Sequence, residues 1–322
     1  MIIVTGGAGF IGSAVVWKLN ALGRDDILIV DHLGRSDKWK NLVKRRFRDY
    51  MHKSEFLAQL EAGRLGKIEA VVHMGACSST TQQDADYLME NNYHYSVALA
   101  RFALENGIRL INASSAATYG DGAAGFSDRE DCLALLKPLN MYGYSKHLFD
   151  LWGLSSGAFN RLVSLKFFNV FGPNEYHKGD MISMVYKGYR QAVTDGAVRL
   201  FKSGHAAYAD GEQKRDFVYV KDCAELIAWL LTHPEVNGLF NVGTGRARSW
   251  NAMAGAVFRA LKRPVNIAYI DMPPALRDRY QYFTQADVQR LKAAGCPVAF
   301  QDLDAAVFDY VTRYLAHNDR CL

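Results

Sequence analysis

The sequence lacks the features of an exported, membrane-spanning or disulfide-stabilised protein. Its five cysteines are an odd number and include no Cys-x-x-Cys pair, so we expect reduced thiols and assign no metal ligands. No apolar run reaches the ~18 residues that a membrane helix needs. The chain begins on a predicted strand without a basic or apolar leader, and we therefore expect a soluble, cytoplasmic protein with no membrane partner.

The charge balance lacks the strong excess that is typical of nucleic-acid-binding proteins. Lys and Arg total 38 against 33 Asp and Glu, a formal net charge of +5. Nucleic acid needs a denser basic surface, so we expect a small phosphate-bearing ligand instead. The densest basic stretch, residues 35–48, follows the second predicted strand, where an adenosine 2′-phosphate could bind. A solvated helix face explains most of these charges equally well.

What the sequence does contain is a glycine-rich turn between a strand and a helix. Residues 2–4 are a short apolar run, typical of a strand that is buried on both faces. The run is broken by TGGAGFIG at 5–12, and a helical pattern follows over 13–22. A second strand at 27–30 ends at Asp31. This context favours a dinucleotide-binding unit over a glycine turn in some other α/β protein.

Three glycines of that turn have distinct physical uses. Gly6 permits the tight turn, Gly9 lets the main chain approach a pyrophosphate, and Gly12 lets the helix pack closely on the strand. The N-terminus of the helix then offers N–H donors to the anion. We therefore assign all three to cofactor binding.

Strands and helices alternate along the first half of the chain. Further strands are predicted at 47–50, 70–74, 108–113 and 162–168, and helices at 54–62, 84–106 and 142–155. Six such rounds predict an α/β fold with a doubly wound parallel sheet. The 322 residues, 49 % of them hydrophobic, also allow a smaller second domain.

The pattern changes beyond residue 169. A turn at 171–174 and a polar segment at 175–180 lead to predicted elements at 182–194, 198–201, 215–220, 221–231 and 239–242. The last two are typical of the parallel sheet again, so the second domain is predicted to be discontinuous. We expect a dinucleotide-binding domain of 1–170 plus about 215–245, and a substrate domain of 171–214 and 246–322.

Tyr142 and Lys146 form the most informative short motif. Positions four apart lie on one helix face, so the lysine can sit beside the phenol and favour phenolate. A phenol has an ordinary pKa of ~10, which an adjacent ammonium and an oxidised nicotinamide ring would lower. Ser115, at the end of the preceding strand, could hydrogen-bond the same substrate oxygen. Together they predict acid/base catalysis, whereas Tyr144 is offset from the lysine and is discounted.

Six motifs resemble the extended short-chain dehydrogenases/reductases that act on nucleotide sugars. They are TGGAGFIG at 5–12, SSAATYG at 114–120, YGYSK at 142–146, FFNVFGPNE at 167–175, KRDFVYVKD at 214–222 and FNVGTG at 240–245. Three further stretches are similar to the members of that family that epimerise an ADP-linked heptose. They are HMGACSSTT at 73–81, HKGDM at 177–181 and RYQYFTQAD at 279–287. The resemblance runs nearly end to end and implies a Rossmann-type fold.

The resemblance implies a redox-neutral epimerase that inverts C6 of the heptose. Its cofactor is NADP, one per subunit, which is retained through turnover because the same hydride is removed and returned. Tyr142 and Lys178 are implied as acid/base residues on opposite faces of the carbon, assisted by Ser115 and Lys146. Lys178 would need a pKa lowered by burial; a phosphate-contacting or exposed lysine is the alternative. A homopentamer that serves lipopolysaccharide inner-core biosynthesis is also implied.

The resemblance also implies two sets of binding residues. The cofactor contacts are Gly6, Gly9, Phe10, Ile11, Gly12, Asp31, His32, Lys38, Lys53, Met74, Gly75, Ala76, Cys77, Ser78, Asn91, Lys146, Val170 and Lys178. The substrate contacts are Asn169, Asp180, Lys187, Phe201, Lys202, Ser203, Gly204, Arg215 and Tyr280. Arg215 suits a diphosphate, with a domain-joining ion pair as the alternative. The chain departs from the family at Met74, where an acid is expected, and in its longer 205–213 loop.

The residues give conflicting signals about the cofactor. Asp31 ends the second strand, where an acid usually binds the ribose hydroxyls of NAD and would repel a 2′-phosphate. Lys38 and Lys53 could offset that repulsion, and the resembled epimerases use NADP with an acid at this place. We therefore expect NADP.

Other activities would use parts of the same motifs. A nucleotide-sugar 4-epimerase would share the serine, the tyrosine and the first lysine but gives Lys178 no base role. A 4,6-dehydratase needs an acid pair where this chain has Ala116 and Ala117. A non-enzymatic dinucleotide sensor has no use for Tyr142 beside Lys146. The residues therefore favour the epimerase.

Overall fold

The computed structural model describes residues 1–273, 280–317 and 320–322. Its strands within those ranges are β1 Ile2–Thr5, β2 Ile27–Asp31, β3 Asp49–His52, β4 Ala70–His73, β5 Arg109–Ser115, β6 Val163–Phe167, β7 Asn169–Phe171, β8 Val198–Phe201, β9 Lys214–Tyr219, β10 Gly238–Val242, β11 Ala247–Ser249 and β12 Ile267–Ile270. The α-helices there are α1 Phe10–Ala21, α2 Lys53–Glu61, α3 Ala85–Leu88, α4 Tyr95–Glu105, α5 Met141–Ser155, α6 Met184–Thr194, α7 Val220–Thr232, α8 Trp250–Ala260, α9 Gln289–Ala293 and α10 Leu303–Tyr310. None of the helices described is long and apolar enough to cross a membrane.

Seven parallel strands form the main sheet, in the order β10-β6-β5-β4-β1-β2-β3. The register places Ile2 opposite Ile27 on one side and Ala70 on the other. All three side chains are buried, because helices cover both faces of a sheet of this kind and demand apolar strands. The predicted doubly wound parallel sheet is confirmed.

The strand order reverses between β1 and β4. Strands β2 and β3 extend the sheet to one side of β1, and β4, β5 and β6 extend it to the other. Connections that diverge in this way leave a crevice at the carboxyl ends of the strands, where ligands bind in such sheets. The glycine turn at 5–12 and the strand end at 73–78 face that crevice.

A second hydrophobic core lies around the smaller sheets. Strands β11, β9 and β7 form one of them, and β12 pairs with β8 in the other. The buried aromatic residues of this core include Phe171, Tyr219 and Tyr310, with ring centroids 5.5 Å apart for the first two. Helices α6, α8 and α10 contribute its aliphatic side chains.

The structure differs from the predicted elements at three places. Strand β3 lies at Asp49–His52 rather than 47–50, because an edge strand that is only partly buried leaves a weak apolar pattern. The helix predicted over 84–106 is interrupted by a π-helical turn at Met89–His94. Residues 169–171 form β7, ahead of the turn that begins at Gly172. Of the RYQYFTQAD stretch, residue 279 lies outside the described residues.

Candidate active site

The glycine turn brings two backbones into contact at the crevice. Gly6 has φ 64°, and a Cβ there would lie 2.7 Å from Cα of Gly75 at the end of β4. A Cβ on Gly12 would collide with the carbonyl oxygen of Gly6. Helix α1 begins at Phe10, directly after the turn. A cradle that any side chain would fill, placed at a helix N-terminus, fits the pyrophosphate of a dinucleotide.

A cleft of about 620 Å³ opens over these strand ends. Eighteen of the predicted residues line it: Gly6, Gly9, Phe10, Ile11, Gly12, Asp31, Lys38, Met74, Gly75, Ala76, Cys77, Ser78, Ser115, Tyr142, Lys146, Asn169, Val170 and Lys178. The others predicted for the cofactor are His32, Lys53 and Asn91, which line an adjoining cavity of about 170 Å³. The fold thus brings the predicted cofactor residues together along one sheet edge.

Asp31 is already engaged by the protein at the β2 end of the cleft. Its Oδ2 accepts a hydrogen bond from the N–H of Ala8 at 2.9 Å, and its Oδ1 lies 2.7 Å from Nζ of Lys38. Lys53 donates to Oδ1 of Asn91 at 2.5 Å, across the adjoining cavity. This end of the cleft therefore holds one carboxylate, that of Asp31, and two ammonium groups, those of Lys38 and Lys53. The excess positive charge is compatible with an additional phosphate.

Tyr142 lies in the first turn of α5, whose N-cap is Asn140. Burial raises the pKa of the Tyr142 phenol, and a hydrogen bond with the Ser115 hydroxyl opposes that rise. Nζ of Lys146 donates to the carbonyl oxygen of Ala113 at 2.7 Å. Burial brings the pKa of Lys146 itself to about 8, and its expected effect on the Tyr142 phenol remains a prediction.

Lys178 lies in a 3-10 turn, Tyr176–Met181, that borders the same cleft as Tyr142. Its amino group lies 5.0 Å from the centroid of the Phe10 ring rather than in bulk solvent. Burial lowers the pKa of Lys178, and the buried carboxylate of Glu175 opposes that shift. Two acid/base candidates, the phenol and the amine, thus face one cavity.

Asn92 supports this site and was not predicted as a site residue. Its side chain makes two hydrogen bonds with the main chain of Cys77: Oδ1 accepts from the N–H at 2.8 Å and Nδ2 donates to the carbonyl oxygen at 2.9 Å. It also donates to the hydroxyl of Ser145 on α5 at 3.1 Å. The β4 end and the tyrosine helix are thereby held together. The paired asparagines at 91 and 92, within an otherwise amphipathic helix, are the signal in the sequence.

A buried ion pair also lies beneath the site. Nζ of Lys166 and Oδ2 of Asp150 are 3.0 Å apart with both side chains fully buried, and Ser114 donates to the same oxygen at 2.8 Å. Such a pair is tolerated only when its remaining groups are hydrogen-bonded. Among the lining residues that sequence reasoning did not assign are Gln281 and Thr284, which lie in the 279–287 motif.

Of the predicted substrate residues, Asn169 lines the cleft and most do not. Those outside it are Asp180, Lys187, Phe201, Lys202, Ser203, Gly204, Arg215 and Tyr280. Lys187 donates to the main-chain carbonyl of Asp180 at 2.7 Å, and Lys202 pairs with Asp271 at 3.1 Å. Strand β8, which ends at Phe201, belongs to the small separate sheet. Their assignment to substrate remains a prediction.

Arg215 is a buried cation without an acidic partner among the described residues. Its guanidinium lies 5.5 Å from the ring of Trp250 and 5.2 Å from that of Tyr280, and Nη1 donates to the carbonyl of Lys214 at 2.8 Å. The domain-joining ion pair that was the alternative is not found in that part of the chain. A buried guanidinium of this kind is suited to an anionic ligand.

The chain is similar along nearly its whole length to proteins named as epimerases of an ADP-linked heptose. Residues 2–243 match the NAD dependent epimerase/dehydratase family. The chain is 59% identical over 320 residues to the ADP-L-glycero-D-manno-heptose-6-epimerase of Nitratidesulfovibrio vulgaris, covering 99% of each chain. It is 47% identical over 332 residues to that of Fusobacterium nucleatum, covering 100% of both. The crystal structure of the Helicobacter pylori ADP-L-glycero-D-manno-heptose-6-epimerase superposes with a TM-score of 0.80 at 27% identity, covering 97% of this chain and 95% of that one.

Proposed function

The chain belongs to the NAD dependent epimerase/dehydratase family, and we infer from this that it interconverts ADP-D-glycero-β-D-manno-heptose and ADP-L-glycero-β-D-manno-heptose. The observation that carries the activity is the placement of Tyr142 and Lys178 on one cleft with the glycine turn. An epimerase needs a proton acceptor for each orientation of its substrate, and this cleft offers two. The end-to-end likeness to heptose epimerases supports the choice of substrate.

We propose NADP as the cofactor, bound one per subunit and retained through turnover. When bound, a nicotinamide dinucleotide supplies a hydride acceptor and donor. The glycine turn would hold its pyrophosphate, and Lys38 and Lys53 would receive the 2′-phosphate that Asp31 alone would repel. A cycle that ends with the cofactor unchanged gives no chemical reason for its release.

Proton transfer in the cycle falls to the phenol and the amine. While C6 is oxidised to a ketone by the bound nicotinamide, Tyr142 or Lys178 would accept the proton of the C6 hydroxyl. On the reverse face of the ketone, where the bound nicotinamide would return the hydride, the other of the two residues would donate a proton to the C6 oxygen. Ser115, which hydrogen-bonds Tyr142, would hold the substrate oxygen during the step at that residue.

Arg215 is proposed to bind the diphosphate of the substrate, since its guanidinium is buried and unpaired by acid in the described part of the chain. We assign the dinucleotide-binding domain to 1–170 with about 215–245, and the substrate domain to 171–214 and 246–322. A homopentamer in the cytoplasm, serving lipopolysaccharide inner-core synthesis, completes the proposal.

The activity is tested with the purified protein and no added nucleotide. ADP-D-glycero-D-manno-heptose should be converted to its C6 epimer, while UDP-galactose should be left unchanged. The nucleotide released on denaturation should be NADP. Conversion of UDP-galactose at a comparable rate would instead support a 4-epimerase, and a protein that binds dinucleotide but turns over neither sugar would support a sensor.

Cofactor choice is tested by replacing Lys38 and Lys53 together with alanine. Since both lysines line the cavity beside Asp31, the variant should lose affinity for NADP by roughly 100-fold, while its affinity for NAD should hold or rise because Asp31 is freed from Lys38. Titration calorimetry on the stripped protein measures both constants. Lys40→Ala, an exposed neighbour paired with Asp37, is the matched control. Equal losses for the two nucleotides would place the 2′-phosphate elsewhere.

A further inference from the structure

A strained residue lies four positions before Lys178. Asn174 is fully buried and has φ 78°; among the described residues other than glycine, it shares a positive φ only with Lys262, at φ 54°. A non-glycine residue in the left-handed region loses about 1 kcal/mol of conformational free energy, so contacts with neighbouring residues must keep Asn174 in this conformation. The contacts of Asn174 show what does so.

Three hydrogen bonds fix Asn174. Its Nδ2 donates to the hydroxyl of Ser13 on α1 at 2.9 Å, and its Oδ1 accepts from the main-chain N–H of Leu322 at 3.0 Å. Its own carbonyl oxygen accepts from Nδ2 of Asn41 at 3.0 Å. The side chain of Leu322 is itself buried in a small apolar cluster with Phe10.

Asn41 connects this segment to the glycine turn. It is 4% exposed, and its Nδ2 also donates to the carbonyl oxygen of Ala8 at 3.0 Å. The same amide lies 3.4 Å from Nδ1 of His177, the residue before Lys178. One side chain therefore ties the proposed pyrophosphate cradle to both ends of the 174–177 segment.

The amino group of Lys178 has no hydrogen-bond partner of its own among the described residues. Its direction is therefore set by the backbone that carries it and by contact with the Phe10 ring. Gly179, the next residue, has φ 54°, a conformation that lets the chain turn away directly after the lysine.

We propose that Asn41 and Asn174 are positioning residues, which dock the 174–178 segment on the glycine turn and so aim the Lys178 amino group into the cleft. The inference rests on the proposed function, in which Lys178 is one of two acid/base groups. It adds a set of contacts that fix the position of Lys178 relative to the glycine turn.

Asn174→Gly tests the proposal without imposing strain. Glycine adopts φ 78° freely, so the variant removes the side-chain anchors to Ser13 and Leu322 while the backbone remains compatible with the fold. We expect kcat to fall by roughly 10- to 100-fold, since small misplacements of a reacting group have effects of that size. KM and NADP affinity should change by less than about 3-fold. Lys262→Gly, the same exchange at the remote positive-φ site, should leave all of them unchanged.

Two readouts separate positioning from a general loss of structure. The rate at which acetic anhydride labels Lys178, followed by mass spectrometry, should rise several-fold in Asn174→Gly and not in Lys262→Gly. In a Lys178→Met background, Asn174→Gly should cause no further loss of kcat, because the group that it positions is already absent. Should Asn174→Gly fail to fold, Ser13→Ala removes one anchor and carries the same expectations in weaker form.

Unchanged labelling of Lys178 and unchanged kcat would overturn the proposal, as would an undiminished loss of kcat in the Lys178→Met background. Its failure is distinguishable from failure of the proposed function. A wild-type protein that does not epimerise ADP-heptose would refute the function, whereas the labelling of Lys178 would still decide whether Asn174 holds it in place.

Discussion

A phenol in a buried cleft is a weak base, and this is the central chemical problem at Tyr142. Burial raises its pKa, and the nearby ammonium of Lys146 is directed at the carbonyl of Ala113. The hydrogen bond with the Ser115 hydroxyl opposes that rise and favours phenolate. A cationic nicotinamide ring, once bound, would add to that effect because opposite charge favours the ionised form.

Removal of the phenol hydroxyl should therefore slow turnover severely. Tyr142→Phe should lower kcat by about 10²- to 10⁴-fold, the usual contribution of a general acid/base. Bound NADP, released by denaturation and quantified, should remain near one per subunit. Tyr144→Phe is the matched control, since Tyr144 lies in the same turn and is 43% exposed. Full activity in Tyr142→Phe would contradict the assigned role.

Lys178→Met should slow the reaction to a degree similar to Tyr142→Phe. The substitution keeps the length and apolar stem of the side chain but removes the amine that lies over Phe10. Steady-state rates from both epimers measure the effect. Lys292→Met, at an exposed position, should leave the rates unchanged. An unaffected Lys178→Met enzyme would make Lys178 a simple surface or phosphate-binding lysine.

At the residue scale, the sequence predicted which side chains line the cleft but not which hydrogen-bond partner each of them has. The glycine turn, Ser115, Tyr142 and Lys146 were found because their spacing is tied to a strand–turn–helix unit. The partner of Lys146 could not be predicted, since helical spacing places two side chains on one face without fixing which atom the ammonium reaches. The substrate contacts at 201–204 depend on loop geometry, for which periodicity gives no rule.

His73 links three elements beneath the cofactor cleft. Its Nδ1 lies 2.5 Å from the hydroxyl of Thr5 on β1, and its Nε2 lies 2.9 Å from that of Ser96 on α4. The Ser96 hydroxyl donates its hydrogen to the carbonyl oxygen of Asn92. Nε2 of His73 must therefore donate to Ser96, and Nδ1 must accept from the Thr5 hydroxyl. The network thus requires a neutral imidazole, and burial lowers the pKa of His73 to about 3.

This arrangement makes folding stability depend on pH. The folded pKa lies below the ordinary value of ~6.5, so the unfolded chain takes up the proton first and stability falls as the pH drops below ~6.5. Between pH 7 and 5 the contribution of His73 should be about 2 kcal/mol of the free energy of unfolding. Urea titrations at both pH values measure it. The difference should shrink by about 2 kcal/mol in His73→Gln and stay at its wild-type size in His317→Gln, an exposed control. The remainder comes from other groups, among them His177, whose pKa burial lowers to about 4.

At the element scale, burial decided what could be predicted. Central strands such as β1 and β4, buried on both faces, were predicted within a residue of their bounds. Strand β3 was displaced by two residues because its side chains are only partly covered. The π-helical turn at Met89–His94, within which Asn92 reaches across to Cys77, could not be foreseen, since hydrophobic periodicity carries no information about a tertiary hydrogen bond.

At the scale of the whole molecule, the cleft depends on the large core and on distant parts of the chain. Its walls come from the ends of the sheet, from the Lys178 turn, and from Gln281 and Thr284. Gln281 donates a hydrogen bond to the carbonyl of Gly120, which ties the late segment to the loop after β5. A ligand in the cleft would therefore contact segments that are remote in sequence.

Bound cofactor should consequently stabilise the entire fold. At about 1,000 times its Kd, NADP should raise the free energy of unfolding by about 4 kcal/mol, since it binds only the assembled cleft. Thermal unfolding of stripped and reloaded protein measures the difference. Tyr142→Phe should show the full shift, because the phenol is assigned to chemistry rather than to cofactor retention. An equal Tm with and without NADP would mean that the nucleotide does not use this cleft.

The Asp31–Lys38 ion pair makes nucleotide preference an evolvable property of this scaffold. One lysine masks one carboxylate, so a single codon change at position 38 exposes an acceptor that a ribose diol can use. The cradle at Gly6 and Gly12 has no such freedom, because a side chain at either position collides with neighbouring main chain. Related proteins can therefore change their preference between NAD and NADP by substitution at position 38 while the glycine turn that binds the pyrophosphate stays the same.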